Sequence, residues 1–148
     1  MLVSPEELFT SKSLYVYLIS GIDPQTLRGS KTGVYVGTIL SEAMEALIED
    51  VSGRFGYSLT GSSRSAFANR ISYAFDFHGP SYAIDTACAS SFLAFQQAVS
   101  DIKNGQCDQA IVCGTNVCLR PVSALQFLRM NMLSMDGKCK YLDAEAGE

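Results

Sequence analysis

Two rhythms of apolar and polar positions alternate along this chain. Residues 33–40, "GVYVGTIL", are β-rich and mostly apolar, the pattern of a strand covered on both faces. Ser41 follows as a cap for a short helix "SEAMEALIEDV", with Glu42 and Glu45 near its positive end and Gly53 as its stop. Residues 62–75, "SSRSAFANRISYAF", place Phe67, Ile71, Ala74 and Phe75 at helical spacing, and "FHGP" ends that run. "SYAIDTA" (81–87) reads as the next strand. From Ala89 to Asn104, Phe92, Phe95, Val99 and Ile102 share one helical face, and Gly105 supplies a C-terminal stop. "QAIVCGTNV" (109–117) is a further buried strand, "VSALQFLRM" (122–130) a helix and "MDGK" a turn. Strands alternating with helices predict a layered α/β domain.

Composition narrows the class of protein. The chain has 148 residues, 47% of them hydrophobic and 18% charged, which suits one folded domain with a real core. A net charge of −4 and scattered single Lys and Arg residues argue against a nucleic-acid partner, which would need a basic face for phosphates. The apolar run at 14–20 follows Glu6 and Glu7 and is too short for a signal peptide or a membrane span. Five cysteines (Cys88, Cys107, Cys113, Cys118 and Cys139) form no C-x-x-C pair, and His78 is the single histidine. That spacing speaks against a metal site, and scattered thiols suit a reducing compartment. The expectation is a soluble cytoplasmic protein with no membrane and no nucleic-acid partner. Neither G-x-G-x-x-G nor a phosphate loop occurs, which disfavours a nucleotide-binding α/β domain.

The candidate chemistry lies at Cys88. Most free cysteines pack as small hydrophobes, and Cys113, inside an apolar strand, is expected in the core. Cys88 instead stands where a strand meets the first turn of a predicted helix, where free N–H groups and the helix dipole favour a thiolate. Ala87, Ala89, Ser90 and Ser91 around it are small, so a substrate could reach both the sulfur and the adjacent N–H. That N–H could donate to the oxyanion of a tetrahedral intermediate. The arrangement is the cysteine counterpart of a nucleophile elbow, although G-x-S-x-G itself is absent.

These residues also carry a resemblance. "GPSYAIDTACASS" resembles the active-site signature of β-ketoacyl synthases, usually D-T-A-C-S-S-S. "LRGSKTGVYVG", "ANRISYAFDFHGPS", "NGQCDQAIVCGTNV" and "QFLRMNMLSMDGKCKYLDA" resemble successive segments of the same domain, in its order and spacing. The "LRPVSALQFLRMNMLS" stretch looks most like animal-type fatty acid synthase. The resemblance covers the chain from about Gly21 onward and is weak over residues 1–20.

The resemblance implies a thiolase-like fold, incomplete here as part of the N-terminal half, with a mixed sheet. It makes residues 1–148 a partial β-ketoacyl synthase N-terminal domain. The implied reaction is a decarboxylative Claisen condensation in fatty acid biosynthesis. Cys88 would accept the acyl chain as a thioester, and its backbone N–H would form half of an oxyanion hole. Asp85 and Thr86 match the signature and are read as shaping the corner. No cofactor or metal is implied for this segment; substrates would arrive as phosphopantetheine thioesters on an acyl carrier protein, within a homodimeric multifunctional parent chain.

Three departures qualify the match. The family draws two histidines and a lysine for decarboxylation from its C-terminal half, and no segment matching them occurs here. His78, in "FDFHGPS", is read as structural and not as a catalytic base. Ala89 replaces the usual Ser beside the nucleophile, a change with little steric consequence. The expectation is therefore an acyl-accepting fragment inactive alone. Two alternatives stand beside it: a polyketide ketosynthase segment, and a non-catalytic piece that pairs with a full-length partner through the apolar stretch 73–86. Thiolases share the fold.

Overall fold

The computed structural model describes residues 20–39, 57–116, 120–140, 142 and 144, without the side chains of residues 58 and 59. The helix expected after Ser41, with its stop at Gly53, and Cys118 lie outside the described residues. Two compact units are present, Met1–Val117 and Cys118–Glu148.

In the first unit, a 3-10 turn over Pro24–Leu27 is capped by Asp23, whose carboxylate accepts from the Gln25 N–H at 2.9 Å. It leads into β1 (Thr32–Thr38). A single helical turn, α1 (Ser58–Gly61), and the longer α2 (Ser65–Phe75) precede β2 (Ser81–Ile84). Then come α3 (Ser90–Lys103) and β3 (Gln109–Thr115). The strands form one sheet in the order β2-β1-β3, with both pairings parallel. The mixed sheet expected above is therefore corrected for the described strands. The reason is visible in the connection from β2 to β3: it returns across the sheet through a whole helix, which keeps neighbouring strands parallel.

β1 is the central strand, and every one of its residues is buried. Its alternation sorts two cores. Val34 and Val36 face α2, packing with Ala68, Ile71, Phe75 and Phe77. Tyr35 points the other way, against Ala94 and Ala98 of α3. Val34 and Val36 align with Ile111 and Cys113 of β3, which places Cys113 against the α2-side core as expected. β2 and β3 are less covered than β1, each having one sheet neighbour among the described strands.

The helices expected over 62–75, 89–104 and 122–130 are present, but the buried faces of the first two need correction. α2 buries Ala66, Ala68, Ile71 and Phe75, with Phe67 partly covered, while Ala74 is exposed. Asp76 closes α2 in the left-handed region at φ 56°, its N–H donating to the Ser72 and Tyr73 carbonyls. The larger correction concerns α3. Its buried positions are Ser90, Ala94, Ala98 and Asp101, whereas Phe92 is 77% exposed and Phe95 57%. Small side chains let this helix lie close on the sheet, so the aromatic face is turned away from it.

In the second unit, α4 (Pro121–Arg129) begins on a proline at its first turn. The expected turn at "MDGK" is present, with the Gly137 N–H donating to the Ser134 carbonyl at 3.2 Å. Asp136 accepts from the Ser134 hydroxyl and the Lys138 N–H and forms an ion pair with Lys140 at 3.6 Å. The Ser134 bond first, then that from Lys138, holds its carboxyl below the usual range.

Candidate active site

The site is built at the C-terminal end of β2, where parallel α/β sheets open toward their ligands. β2 ends at Ile84, and Asp85 to Ala89 form the corner into α3. α3 begins at Ser90, so Cys88 lies just ahead of the helix and not within its first turn. The sequence-based position of Cys88 is corrected by that amount. Helical periodicity starts before the helical hydrogen bonds do, because the corner residues are small and share the helix's apolar spacing.

Five contacts hold this corner. The Ser90 hydroxyl accepts from the Thr86 N–H at 3.0 Å and donates to the Ala87 carbonyl at 2.6 Å, closing the turn on itself. The Ala89 N–H donates to the Thr86 carbonyl at 3.2 Å. Asp85 Oδ1 accepts from the Ala87 N–H at 3.2 Å, while Oδ2 pairs with Arg64. Ala87 itself sits at φ 51°, a left-handed conformation that costs a non-glycine residue about 1–2 kcal/mol. Asp85 and Thr86 thus shape the corner, as the sequence reading has it.

Beneath the corner lies a floor of two glycines. Gly37 of β1 and Gly114 of β3 are register partners. A Cβ on Gly37 would stand 2.5 Å from the Ser91 nitrogen, and one on Gly114 would stand 2.8 Å from the Ser91 Cβ. Side chains at either place would lift the start of α3 off the sheet. Sequence reading took these glycines only as part of apolar strands; their paired alignment belongs to the register.

With the corner so held, Cys88 is exposed and unbridged. The N–H groups of Thr86, Ala87, Ala89 and Ser90 all have acceptors within the corner. No hydrogen bond from the Cys88 N–H is found among the described residues. A sulfur and an N–H with no acceptor among the described residues, both on one residue, can attack a carbonyl carbon and receive its oxygen. The other described cysteines differ: Cys107 is buried, Cys113 half-buried in the core, and Cys139 exposed in the second unit. His78 is an exposed surface residue whose Nε2 lies 3.2 Å from Asp76 Oδ1.

Sequence reasoning missed Arg64. It precedes α2, its Nη1 donates to the Ile39 carbonyl at 3.0 Å, and it pairs with Asp85. Both line an open cleft of about 480 Å³ with Thr38, Ser65, Ser81 and Tyr82. A buried group also went unread. The Tyr35 hydroxyl donates to Asp101 Oδ2 at 2.7 Å beside Cys107, and Gln97 donates to Asp101 Oδ1 at 3.0 Å. No helix among the described residues is long and apolar enough to cross a membrane.

An exposed thiol thus stands at a strand-to-helix corner beside a parallel sheet. The chain belongs to the β-ketoacyl synthase family: the model for the N-terminal domain of β-ketoacyl synthase matches residues 16–147. It is 50% identical over 137 residues to a fatty acid synthase from the goose Anser anser anser, covering 93% of this chain and 39% of that protein. It is 40% identical over 145 residues to a hybrid PKS-NRPS synthetase from an Acremonium species, covering 97% of this chain and 4% of that one. Among solved structures it matches the oxazolomycin ketosynthase domain of Streptomyces albus JA3453 with a TM-score of 0.77 and 34% identity. That match covers 91% of this chain and 23% of the other. A ketosynthase from module 6 of the bacillaene synthase of Bacillus subtilis 168 gives 0.79 and 32%, over 96% and 23%. The fold is thus that of thiolase-like ketosynthase domains, of which this chain spans a part. It is a ketosynthase segment of the kind found in large fatty acid and polyketide-type synthases.

Proposed function

We propose that this chain is the acyl-accepting part of a β-ketoacyl synthase N-terminal domain in a cytosolic fatty acid synthase. The observation that carries the reading is the exposed Cys88 at its corner, with an N–H that has no acceptor among the described residues. In the first step the Cys88 thiolate attacks the carbonyl of an acyl thioester borne on the phosphopantetheine of an acyl carrier protein. A carbon–sulfur bond forms, and the carbonyl π pair moves to oxygen, toward the Cys88 N–H. The intermediate collapses, expelling the carrier thiolate, which takes up a proton. In the second step a malonyl thioester loses carbon dioxide, and the electron pair left on carbon attacks the acyl-Cys88 carbonyl. Sulfur departs as the Cys88 thiolate, and the β-ketoacyl product stays on the carrier.

The groups that assist decarboxylation belong to the rest of the domain in this reading, so the 148 residues alone do not condense. The parent is a homodimer that carries its carrier protein in the same chain, and the segment itself uses no cofactor. The higher identity to a fatty acid synthase than to hybrid PKS-NRPS synthetases supports fatty acid over polyketide synthesis.

The test is peptide mass spectrometry of the full synthase chain after brief exposure to an acyl thioester. An acyl adduct on the Cys88 peptide is expected. Cys88→Ala is expected to lose the adduct and to lower condensation by about a thousandfold or more. Condensation retained in Cys88→Ala, or an adduct on another cysteine of this segment, overturns the assignment.

A further inference from the structure

We propose that Arg64 and Asp85 form a positioning pair that sets the orientation of the Cys88 N–H during acyl transfer. The inference rests on the reading of Cys88 as the acyl acceptor and deepens it. Its basis is a chain of contacts that begins away from the thiol. Arg64 Nη1 binds the Ile39 carbonyl, just past the end of β1, and the Asp85 carboxylate at the same time. The other oxygen of that carboxylate accepts the Ala87 N–H. Ala87 is the left-handed residue immediately before Cys88, and the plane of the Ala87–Cys88 peptide fixes where the Cys88 N–H points.

The pair's place in the fold separates this role from a general stabilising one. The Arg64 and Asp85 side chains are 50% and 38% exposed, and an ion pair in such a setting contributes little to stability. What the pair supplies is geometric. It ties the C-terminal end of the central strand, through a carboxylate, to the one strained residue of the corner. Without it, Ala87 can leave the left-handed region, and the following peptide plane turns with it. Among the described residues neither side chain hydrogen-bonds the sulfur, so both act through the backbone.

The consequence can be read by comparing two reactions of the same sulfur in the full synthase chain. Acyl transfer from acetyl-pantetheine passes through an oxyanion and needs the aligned N–H. Alkylation by iodoacetamide is a direct displacement at carbon and forms no oxyanion. Both are followed by the rate of mass gain on the Cys88 peptide. Arg64→Ala and Asp85→Ala are each expected to slow acylation by about tenfold or more, with alkylation changed by less than about threefold. The double variant should lie within about threefold of Asp85→Ala, because one residue acts through the other. Arg64→Lys, which keeps the charge and an N–H donor, should regain most of the rate.

Acylation of Arg64→Ala within about threefold of the unaltered chain overturns the proposal. So does an equal fall in both reactions, or a double variant whose loss is the product of the single losses. If Arg64→Ala does not fold, Asp85→Asn decides. It retains the Oδ1 acceptor for Ala87 but loses the ion pair, and unchanged acylation there is also an overturning result. Failure of the unaltered Cys88 to acylate at all would instead sink the functional reading beneath it.

Discussion

At the scale of single residues, Tyr35 shows how one buried polar group is accommodated. Its ring lies in the α3-side core and its hydroxyl reaches Asp101 and Cys107. Burial first, and then the hydrogen bond to Asp101, push the phenol well above its ordinary value. A group whose folded-state value is raised contributes stability that is fully present below its unfolded value, about 10 for tyrosine, and lost as pH climbs above it. In an alkaline titration followed by tyrosinate absorbance, Tyr35 is therefore expected to ionise only as the chain unfolds. Reversible ionisation of all seven tyrosines with the fold intact would contradict this. Cys88 is the contrasting case. Its residue type, its small neighbours and the signature around it are readable one after another along the chain. The left-handed Ala87 and the reach of Arg64 to Asp85 are not, since they join residues 21 positions apart.

Among elements, the decisive contact is between α3 and the sheet. Phe92, Phe95 and Ile102 dominate the apolar periodicity of α3 and would be its core by hydrophobicity alone. The sheet takes Ala94 and Ala98 instead, because Gly37 and Gly114 leave room for the helix start and nothing larger. Gly37→Ala tests this directly. Its added carbon would meet the Ser90–Ser91 backbone, which can move only by carrying the corner with it. The expected cost is about 1–3 kcal/mol in urea denaturation, together with slowed acylation of Cys88. An unchanged midpoint with unchanged acylation would show that the glycine floor does not set the corner.

For the whole molecule, the question is what covers the exposed aromatic side chains on the two sides of the sheet. Tyr73, Tyr82, Phe92 and Phe95 are all substantially exposed in the first unit, and β2 is the edge strand among the described strands. Unpaired edges and apolar patches of this kind favour association. The 148-residue chain expressed alone is expected to self-associate in size-exclusion chromatography with light scattering. Replacing Phe92 and Phe95 by Gln should reduce that association. A monodisperse monomer with a cooperative melt would count against it.

The strand and helix order, the α/β class and the placement of Cys88 near a corner all follow from local information. Strand periodicity, glycine and proline stops, and a contiguous signature need no distant partner to be read. Which face of α3 is buried, the all-parallel order β2-β1-β3 and the Arg64–Asp85–Ala87 chain are different. They depend on which residues meet across the sheet, and a single periodic pattern is compatible with more than one such meeting. The register of Gly37 against Gly114 decides how closely α3 approaches, and with it how Cys88 is presented.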